Sequence, residues 1–314
     1  MLTVYTAQQV HAALDWRTLE SALTAAFAVG ADVPLRHTHA LSNDDALLLM
    51  PAWTSASIGL KVVTFIPGAP AHGSPTVGAT YVLLDRASGA PKAVLDGDAI
   101  TVRRTAAVSA IAARYMARAD AQTLLVIGTG HLAPWLARAH CALRPGVSRV
   151  LVWGRDVGRA VVLSDTLRAE GLPVDVAPDL ETAVRSADVV SCATTSRDPL
   201  VRGEWLTPGT HVDLVGGFTR DMREADDHAV ARSRIAVDSY QGALSEAGDV
   251  VVPLERGVIT RANIVGELAE LVRGEVAGRV DAKEITLFKS VGTALADLAA
   301  AEAVLRGRRG AQGR

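Results

Sequence analysis

The sequence predicts an α/β protein in which a doubly wound parallel sheet follows an α+β segment. From Thr123 onward, short apolar strands alternate with helical segments, a pattern typical of parallel sheets. A Gly-Thr-Gly motif at residues 128–130 follows the first of these strands and opens a helix. Before Thr123, strand-like runs follow one another directly, and two of them are spaced as a hairpin.

Composition and charge indicate a folded protein and give no sign of a nucleic-acid or membrane partner. The 314 residues suffice for two domains, and 49% hydrophobic with 21% charged residues predicts a folded chain with a sizeable core. A net charge of -2 at pH 7 gives no reason to expect nucleic acid or an anionic membrane as a partner. The basic residues 306–314 are expected to form a frayed terminus.

Targeting signals and cysteine usage favour a soluble, cytoplasmic protein. The N-terminus lacks a basic region followed by an apolar stretch, and no run reaches the ~18 apolar residues of a membrane span. Cys141 and Cys192 lie far apart, without the spacing of a disulfide or metal site. His37 and His39 alternate beside Arg36 with no further ligand cluster, so no metal is expected.

The first segment opens with helical patterning from Thr6 to Val29. Thr6 and Gln9 have the form of a capping box, and Asp15 is placed to begin a second helix. Four strand-like runs follow, ALLLMP, IGLKVVTF, GATYVLLD and KAVLDG. The turn sequence RASGAP between the last two predicts a hairpin. An alanine-rich stretch from Asp98, free of glycine and proline, predicts a long helix.

The second segment alternates strand and helix. The predicted strands are TLLVI, SRVLVW, ADVVSCAT, THVDLVGG and RIAVDS, with helices after the first two. Near the end, EITLFKSVGTALADLAAAEAVL predicts a strand that turns into a long helix. We expect this helix to pack back on the first segment.

A dinucleotide site is predicted at residues 128–133, which read G-x-G-x-x-A. Gly128 permits the tight turn, Gly130 lets backbone N–H groups approach a pyrophosphate, and Ala133 allows close helix–strand packing. His131 and Leu132 complete the predicted contacts, with His131 facing solvent rather than acting as a catalyst. An ordinary glycine-rich turn is the alternative interpretation.

The residues after the next strand, Gly154, Arg155 and Asp156, predict which dinucleotide binds. An NAD site usually has an acid here for the ribose 2′-hydroxyl. Arg155 comes first and offers a guanidinium to a 2′-phosphate. Asp156 is alternatively the N-cap of the following helix. The sequence therefore favours NADPH, with NADH as the alternative.

Three cations in apolar surroundings suggest a pocket for a small carboxylate. Lys61 shares a strand face with Val63 and Phe65, while Arg36 and Arg104 also lie among hydrophobic residues. Each alone is equally consistent with a side chain that reaches solvent. Arg103 and Arg104 point about 100° apart on a helix, so only one needs to face the pocket.

Four separated motifs occur in order along the chain; they are VRRTAAVSAIAARYMAR, VIGTG, VGGFTRDMREAD and EITLFKSVGTALADLAA. Together they resemble the ornithine cyclodeaminase/μ-crystallin family over nearly the whole chain. The resemblance implies a Rossmann domain at residues 118–291. It also implies a substrate-binding and dimerisation domain at residues 1–117 with 292–314. Members are usually homodimers.

The resemblance also implies roles for single residues. Arg36, Lys61 and Arg104 would clamp the substrate carboxylate, and Thr76 would lie at the pocket. Further positions would approach the cofactor; they are Arg104, Thr105, Thr194 and Val215.

One departure from the family pattern separates two activities. Ornithine cyclodeaminases carry a proton-transferring aspartate where this chain has Phe218, which cannot move a proton. Asp221 instead matches an aspartate of the imine-reducing branch. The expected activity is therefore NAD(P)H-dependent reduction of Δ1-pyrroline-2-carboxylate, and of its six-membered homologue, with Lys61 and Asp221 as catalytic residues. An ornithine cyclodeaminase, a μ-crystallin-like binding protein and an alanine dehydrogenase are the alternatives.

Overall fold

A computed structural model describes residues 2–312, and it describes side chains over residues 2–307. The chain forms two compact units. One comprises the chain up to Thr105 together with the chain from Thr293 onward, and the other is Ala106–Gly292. The predicted boundaries at 117/118 and 291/292 stay predictions.

The first unit contains a six-stranded sheet. Its strands are β1 (Thr3–Tyr5), β2 (His37–Ala40), β3 (Ala46–Trp53), β4 (Ser57–Phe65), β5 (Val77–Asp85) and β6 (Pro91–Asp96). The order is β1-β6-β5-β4-β3-β2, with β1 parallel to β6 and every other pair antiparallel. The predicted β5–β6 hairpin is confirmed, whereas the short strands β1 and β2 were not among the four predicted runs.

Helices α1 (Ala7–Ala13) and α2 (Trp16–Val29) follow β1, and α3 (Gly97–Met116) follows β6. The predicted capping box is confirmed, since Thr6 Oγ1 accepts from the Gln9 N–H and Gln9 Oε1 accepts from the Thr6 N–H. Asp15 caps α2 by accepting from the Thr18 N–H at 3.0 Å. These caps satisfy N–H groups that have no partner within the helix.

The second unit is built on an eight-stranded, entirely parallel sheet. Its strands are β7 (Thr123–Ile127), β8 (Arg149–Trp153), β9 (Val174–Val176), β10 (Val189–Cys192), β11 (His211–Leu214), β12 (Ser233–Val237), β13 (Ile264–Glu267) and β14 (Ile285–Lys289). Its helices are α4 (Ala133–Leu143), α5 (Val157–Ala169), α6 (Leu180–Ser186), α7 (Asp227–Ala231), α8 (Tyr240–Glu246), α9 (Gly248–Glu255) and α10 (Leu268–Arg273). The predicted doubly wound sheet is confirmed.

The strand order of this sheet is β13-β12-β14-β11-β10-β7-β8-β9. The chain winds from β7 towards β9 on one side and from β10 towards β11 on the other. The order therefore reverses between β7 and β10, and ligands of open parallel sheets bind at the carboxyl ends of strands beside such a reversal.

The chain ends in helix α11 (Ala294–Gln312), which packs on α2 and on β3, β4 and β5 of the first unit. The predicted strand-then-helix at the C-terminus and its return to the first segment are confirmed. The predicted fraying concerns mainly residues 308–314, whose side chains lie outside the described part. No described helix is long and apolar enough to cross a membrane.

The two faces of the six-stranded sheet differ in burial. The face against α11 carries Lys61 and Tyr81, which are almost fully buried. The opposite face carries apolar side chains that remain only half-buried or exposed; they are Val4, Leu49, Leu60, Val62 and Val82. We call this second face the open face of the sheet.

Candidate active site

A buried ionic cluster joins β4, α3 and α11 in the first unit. The Lys61 Nζ lies 2.8 Å from Asp297 Oδ2, and the Arg104 Nε donates to Asp297 Oδ1 at 2.8 Å. The Lys61 ammonium also donates to the Thr101 hydroxyl at 3.3 Å. Lys61, Arg104 and Asp297 are each exposed by 4% or less. We call these four residues the Lys61 cluster.

The cluster holds more positive than negative charge. Burial lowers the pKa of Lys61 from its usual value to about 8, with contributions from Arg104 and Arg36, against the opposing effect of Asp297. Asp297 offers only one negative charge to these cations. Because unbalanced buried charge is costly, the cluster suits a small anion such as a substrate carboxylate.

The other residues considered for the carboxylate pocket each have different contacts in the structure. Arg103 stacks on the ring of Trp16 at 3.9 Å, so the adjacent arginines serve different contacts. Arg36 is half-buried immediately before β2, and Thr76 is half-buried before β5, where its carbonyl accepts from the Ile66 N–H. Contacts of Arg36 and Thr76 with a substrate stay predictions.

The glycine motif after β7 has the geometry that a dinucleotide needs. Gly128 has φ of +117°, and a Cβ there would lie 2.6 Å from the Ala193 carbonyl oxygen. A Cβ on Gly130 would instead point into open space, where a pyrophosphate can approach the backbone. The N-cap of α4, Leu132, makes no side-chain cap hydrogen bond, which leaves the helix N-terminus suited to an anion. The residues present therefore fit a dinucleotide.

Two exposed arginines, Arg155 and Arg159, follow strand β8 in the chain. Asp156 caps α5, accepting from the Arg159 N–H at 3.1 Å, as one of the two sequence interpretations expected. Arg155 is exposed, and the Arg159 guanidinium donates to the Thr129 carbonyl of the glycine motif at 3.4 Å. Gly154 allows the Thr129 side chain to lie against the chain just after β8, because a Cβ on Gly154 would lie 2.6 Å from Thr129 Cγ2. His131, which directly follows Gly130 in the sequence, is exposed.

A second buried polar cluster lies at the carboxyl edge of the parallel sheet. Glu224 Oε1 accepts from the N–H and hydroxyl of Thr194 at 2.7 and 3.0 Å. Glu224 Oε2 accepts from the N–H groups of Gly216 and Gly217 at 2.8 and 3.2 Å. Asp249 accepts from the Glu224 N–H at 2.8 Å and from the Lys289 ammonium at 2.9 Å. We call Thr194, Glu224, Asp249 and Lys289 the Glu224 cluster.

The predicted catalytic acid Asp221 has surroundings that do not favour proton donation. Its carboxylate accepts from the Thr219 hydroxyl at 2.6 Å and pairs with Arg197 at 2.9 Å. The hydrogen bond from Thr219 is the largest cause that lowers the pKa of Asp221. Because this pKa is lowered, Asp221 is a carboxylate at neutral pH, and its side chain is 57% exposed. Phe218 beside it is 39% exposed.

Asp297 and Glu224 were not predicted from the sequence. Asp297 is an acid within the otherwise apolar stretch TALADLAAA, and Lys289 is a lysine within ITLFKSV. A charge inside a run that is otherwise fully hydrophobic is the signal for a buried ionic contact, and the same reasoning singled out Lys61. Neither run identifies the partner. The described residues contain no group of three or more His, Cys, Asp or Glu side chains suited to a metal.

Comparison with known proteins matches nearly the whole chain to one family. A sequence model of the ornithine cyclodeaminase/mu-crystallin family matches residues 3–310. The chain belongs to this family. It is 35% identical to Δ1-pyrroline-2-carboxylate reductase of Colwellia psychrerythraea, over 97% of this chain and 98% of the relative.

Solved structures of the family share the whole fold. The Thermococcus litoralis Δ1-pyrroline-2-carboxylate reductase, in complex with NADH and L-proline, superposes with a TM-score of 0.93 at 32% identity, covering 99% of this chain and 98% of that one. An archaeal alanine dehydrogenase dimer with bound NAD gives 0.92 at 29% identity, covering 99% and 97%. The chain is therefore an enzyme of the oxidoreductase class with a Rossmann-type dinucleotide fold.

Proposed function

We propose that this protein reduces cyclic ketimines that carry a carboxylate, using NAD(P)H. The substrates would be Δ1-pyrroline-2-carboxylate, giving L-proline, and Δ1-piperideine-2-carboxylate, giving L-pipecolate. The observation that carries the proposal is the buried excess of positive charge in the Lys61 cluster. Phe218, at the position of the cyclodeaminase acid, supports reduction over deamination.

The chain's own residues would orient and neutralise the substrate. Arg104 and Lys61 would bind its carboxylate, while Asp297 fixes both cations in place before substrate arrives. A reduced nicotinamide, when bound, would supply the hydride for the imine carbon. A proton would have to reach the imine nitrogen, so that the C=N bond becomes a single bond.

Lys61 is the better candidate for the proton donor. With a pKa of about 8 it is largely protonated at neutral pH, yet it gives up its proton far more readily than an ordinary lysine. Asp221 remains the alternative, as a carboxylate that would have to act through water.

We further propose that NADPH is preferred. Arg155, shortly after β8, and Arg159, in the first turn of α5, would receive a 2′-phosphate near the N-terminus of that helix. Arg155→Asp should shift the ratio of kcat/KM values for NADPH and NADH at least tenfold towards NADH, since a close charge pair contributes ~1.5–3 kcal/mol. The control, Arg168→Asp, makes the same charge change in the last turn of α5 and should leave the ratio unchanged. An unchanged ratio in Arg155→Asp would contradict the assignment.

The proposed activity is tested by following the absorbance of reduced nicotinamide with purified protein, NADPH or NADH, and Δ1-pyrroline-2-carboxylate. Parallel reactions contain Δ1-piperideine-2-carboxylate, pyruvate with ammonia, and L-ornithine with NAD. Oxidation with the cyclic imines alone is the expected result. Ammonia release from ornithine would identify a cyclodeaminase. Turnover with pyruvate and ammonia would identify an alanine dehydrogenase.

We also propose a cytoplasmic homodimer. The open face of the six-stranded sheet presents an apolar surface of the kind that a second copy covers. Cys141 and Cys192 are free thiols, which suits a reducing compartment.

A further inference from the structure

Glu224 receives four hydrogen bonds from two loops. The loop after β10 provides the N–H and hydroxyl of Thr194, and the loop after β11 provides the N–H groups of Gly216 and Gly217. The loops are in close contact, since a Cβ on Gly216 would lie 2.1 Å from both the backbone nitrogen and the carbonyl oxygen of Thr194. One carboxylate thus holds two loops together.

The loop after β10 also contacts the predicted dinucleotide motif. A Cβ on Gly128 would lie 2.6 Å from the Ala193 oxygen and 3.2 Å from Thr194 Cγ2. The residue whose N–H and hydroxyl bind Glu224 therefore lies against the first glycine of the motif. It also follows β10, beside the reversal of strand order where a dinucleotide binds.

Asp249 and Lys289, the other charged members of the Glu224 cluster, hold Glu224 in position. Asp249 Oδ1 accepts from the N–H groups of Glu224 and Ala225, and Asp249 Oδ2 accepts from Lys289. Lys289 lies 3.9 Å from Glu224 Oε2. Glu224, Asp249 and Lys289 are 0% exposed, so water does not replace these contacts.

We propose that Glu224 is a positioning residue for dinucleotide binding, which holds the Thr194 and Gly216–Gly217 loops in the arrangement that receives the cofactor. The inference rests on the proposed NAD(P)H site. It adds that the affinity of this site depends on Glu224 being ionised. An ionised carboxylate accepts from all four donors, whereas a protonated one has an O–H in place of one acceptor position and accepts from at most three of them.

The charged and titratable groups around Glu224 determine the pH at which its carboxyl group ionises. Lys289 on β14 favours the ionised form, and Asp249 on α9 disfavours it. Cys192 on β10 is buried, and its pKa is raised by burial and by Glu224, so it stays neutral. Burial outweighs Lys289 and raises the pKa of Glu224 to about 7. Dinucleotide affinity should therefore fall as the pH decreases through neutrality.

The test measures the Kd of NADPH and NADH, from quenching of protein fluorescence, across neutral pH. Wild-type Kd should rise as the pH falls through the midpoint, by at most tenfold per pH unit, and should level off at the Kd of the protonated form. Glu224→Gln should bind roughly 10- to 100-fold more weakly above the midpoint, because its amide N–H₂ faces one pair of donors, and should lose the pH dependence. Glu224→Asp should recover the pH dependence, though not the full affinity.

The matched control is Asp188→Asn. Asp188 lies at the amino end of β10 and accepts from the N–H groups of Gln122 and Thr123 at 2.9 Å. This variant should lower the melting temperature without moving the pH midpoint of Kd. If Glu224→Gln fails to fold, Thr194→Val removes one donor and should move the midpoint to higher pH.

A pH-independent wild-type Kd would overturn the inference, and so would a Glu224→Gln variant that keeps the wild-type profile. Imine reduction would still stand in either case. Absence of dinucleotide binding by the wild-type protein would instead overturn the proposed function.

Discussion

The side chains of Lys61 and Arg104 both end on the carboxylate of Asp297. This arrangement explains how a lysine can occupy the buried face of an apolar strand. Its ammonium has an anionic partner and the Thr101 hydroxyl, so the desolvation cost is partly offset. Burial still dominates, because the pKa of Lys61 remains below its usual value.

The lowered pKa predicts the alkaline side of the activity profile. As the pH rises through about 8, Lys61 loses its proton in the free enzyme, and kcat/KM for Δ1-pyrroline-2-carboxylate should fall. Lys61→Arg keeps the positive charge but cannot release a proton, so it should retain KM within a few-fold and lose turnover ~10²-fold or more. The measurement is the pH dependence of kcat/KM in both proteins.

Two further variants separate the candidate donors. Asp297→Asn should move the alkaline midpoint to lower pH, because Asp297 raises the pKa of Lys61. Asp221→Asn should leave the profile unchanged. Near-normal turnover in Lys61→Arg, or loss of turnover in Asp221→Asn, would assign the proton to another group.

At the scale of elements, the packing of β4 against β5 requires a glycine at position 59. Lys61 pairs with Tyr81 across these strands, and the Tyr81 ring leans over Gly59. A Cβ on Gly59 would lie 1.9 Å from the Tyr81 hydroxyl. That hydroxyl is buried without a hydrogen-bond partner among the described residues. Gly59 therefore serves packing rather than a turn.

Gly59→Ala should lower the free energy of unfolding by ~1–3 kcal/mol, because the buried Tyr81 ring must move to admit the methyl group. Tyr81→Phe should be neutral or stabilising, since it removes a buried hydroxyl that lacks a partner. The double variant should lose less stability than Gly59→Ala alone, as measured by urea denaturation. Gly68→Ala, which meets open space, is the control and should cost little. Equal losses in the single and double variants would contradict the steric account.

Most of the elements could be predicted because their signals are local. Hydrophobic period, the Thr6 capping box and the turn after β5 each depend on residues close in sequence. Strand β1 was missed, since its three residues are held by pairing with the distant β6 rather than by their own pattern. Helices α6 to α10 are mostly short, from 5 to 8 residues, and show too few turns for a period to emerge.

The candidate site was predictable only in part, because some of its contacts join residues that are far apart in sequence. Lys61 and the glycine motif stand out within single strands or turns. Asp297 lies 236 residues after Lys61 in the chain (297 − 61), and only the folded structure brings the two together. Asp221 was selected by its match to a family motif, which carries no information on exposure or on the ion pair with Arg197.

At the scale of the whole molecule, the open face of the sheet predicts the oligomeric state. Leu60 lies on the central strand β4 with Pro51 and Val82 opposite it, all three only half-buried. Leu60→Glu should weaken a homodimer and yield monomers, because it buries a charge in an apolar interface. Sedimentation velocity measures this directly. Val162→Glu, at a 67% exposed position on α5, is the matched control and should leave the assembly unchanged. A Leu60→Glu variant that sediments as the wild type would exclude this face.

Only residues 290–293 separate strand β14 from helix α11, so one short segment carries both Lys289 and Asp297. This segment follows every other member of the two clusters in the chain. Until it is synthesised, Lys61 and Arg104 lack the carboxylate that pairs with them, and Asp249 lacks its ammonium partner. A chain truncated before residue 289 therefore has neither cluster complete.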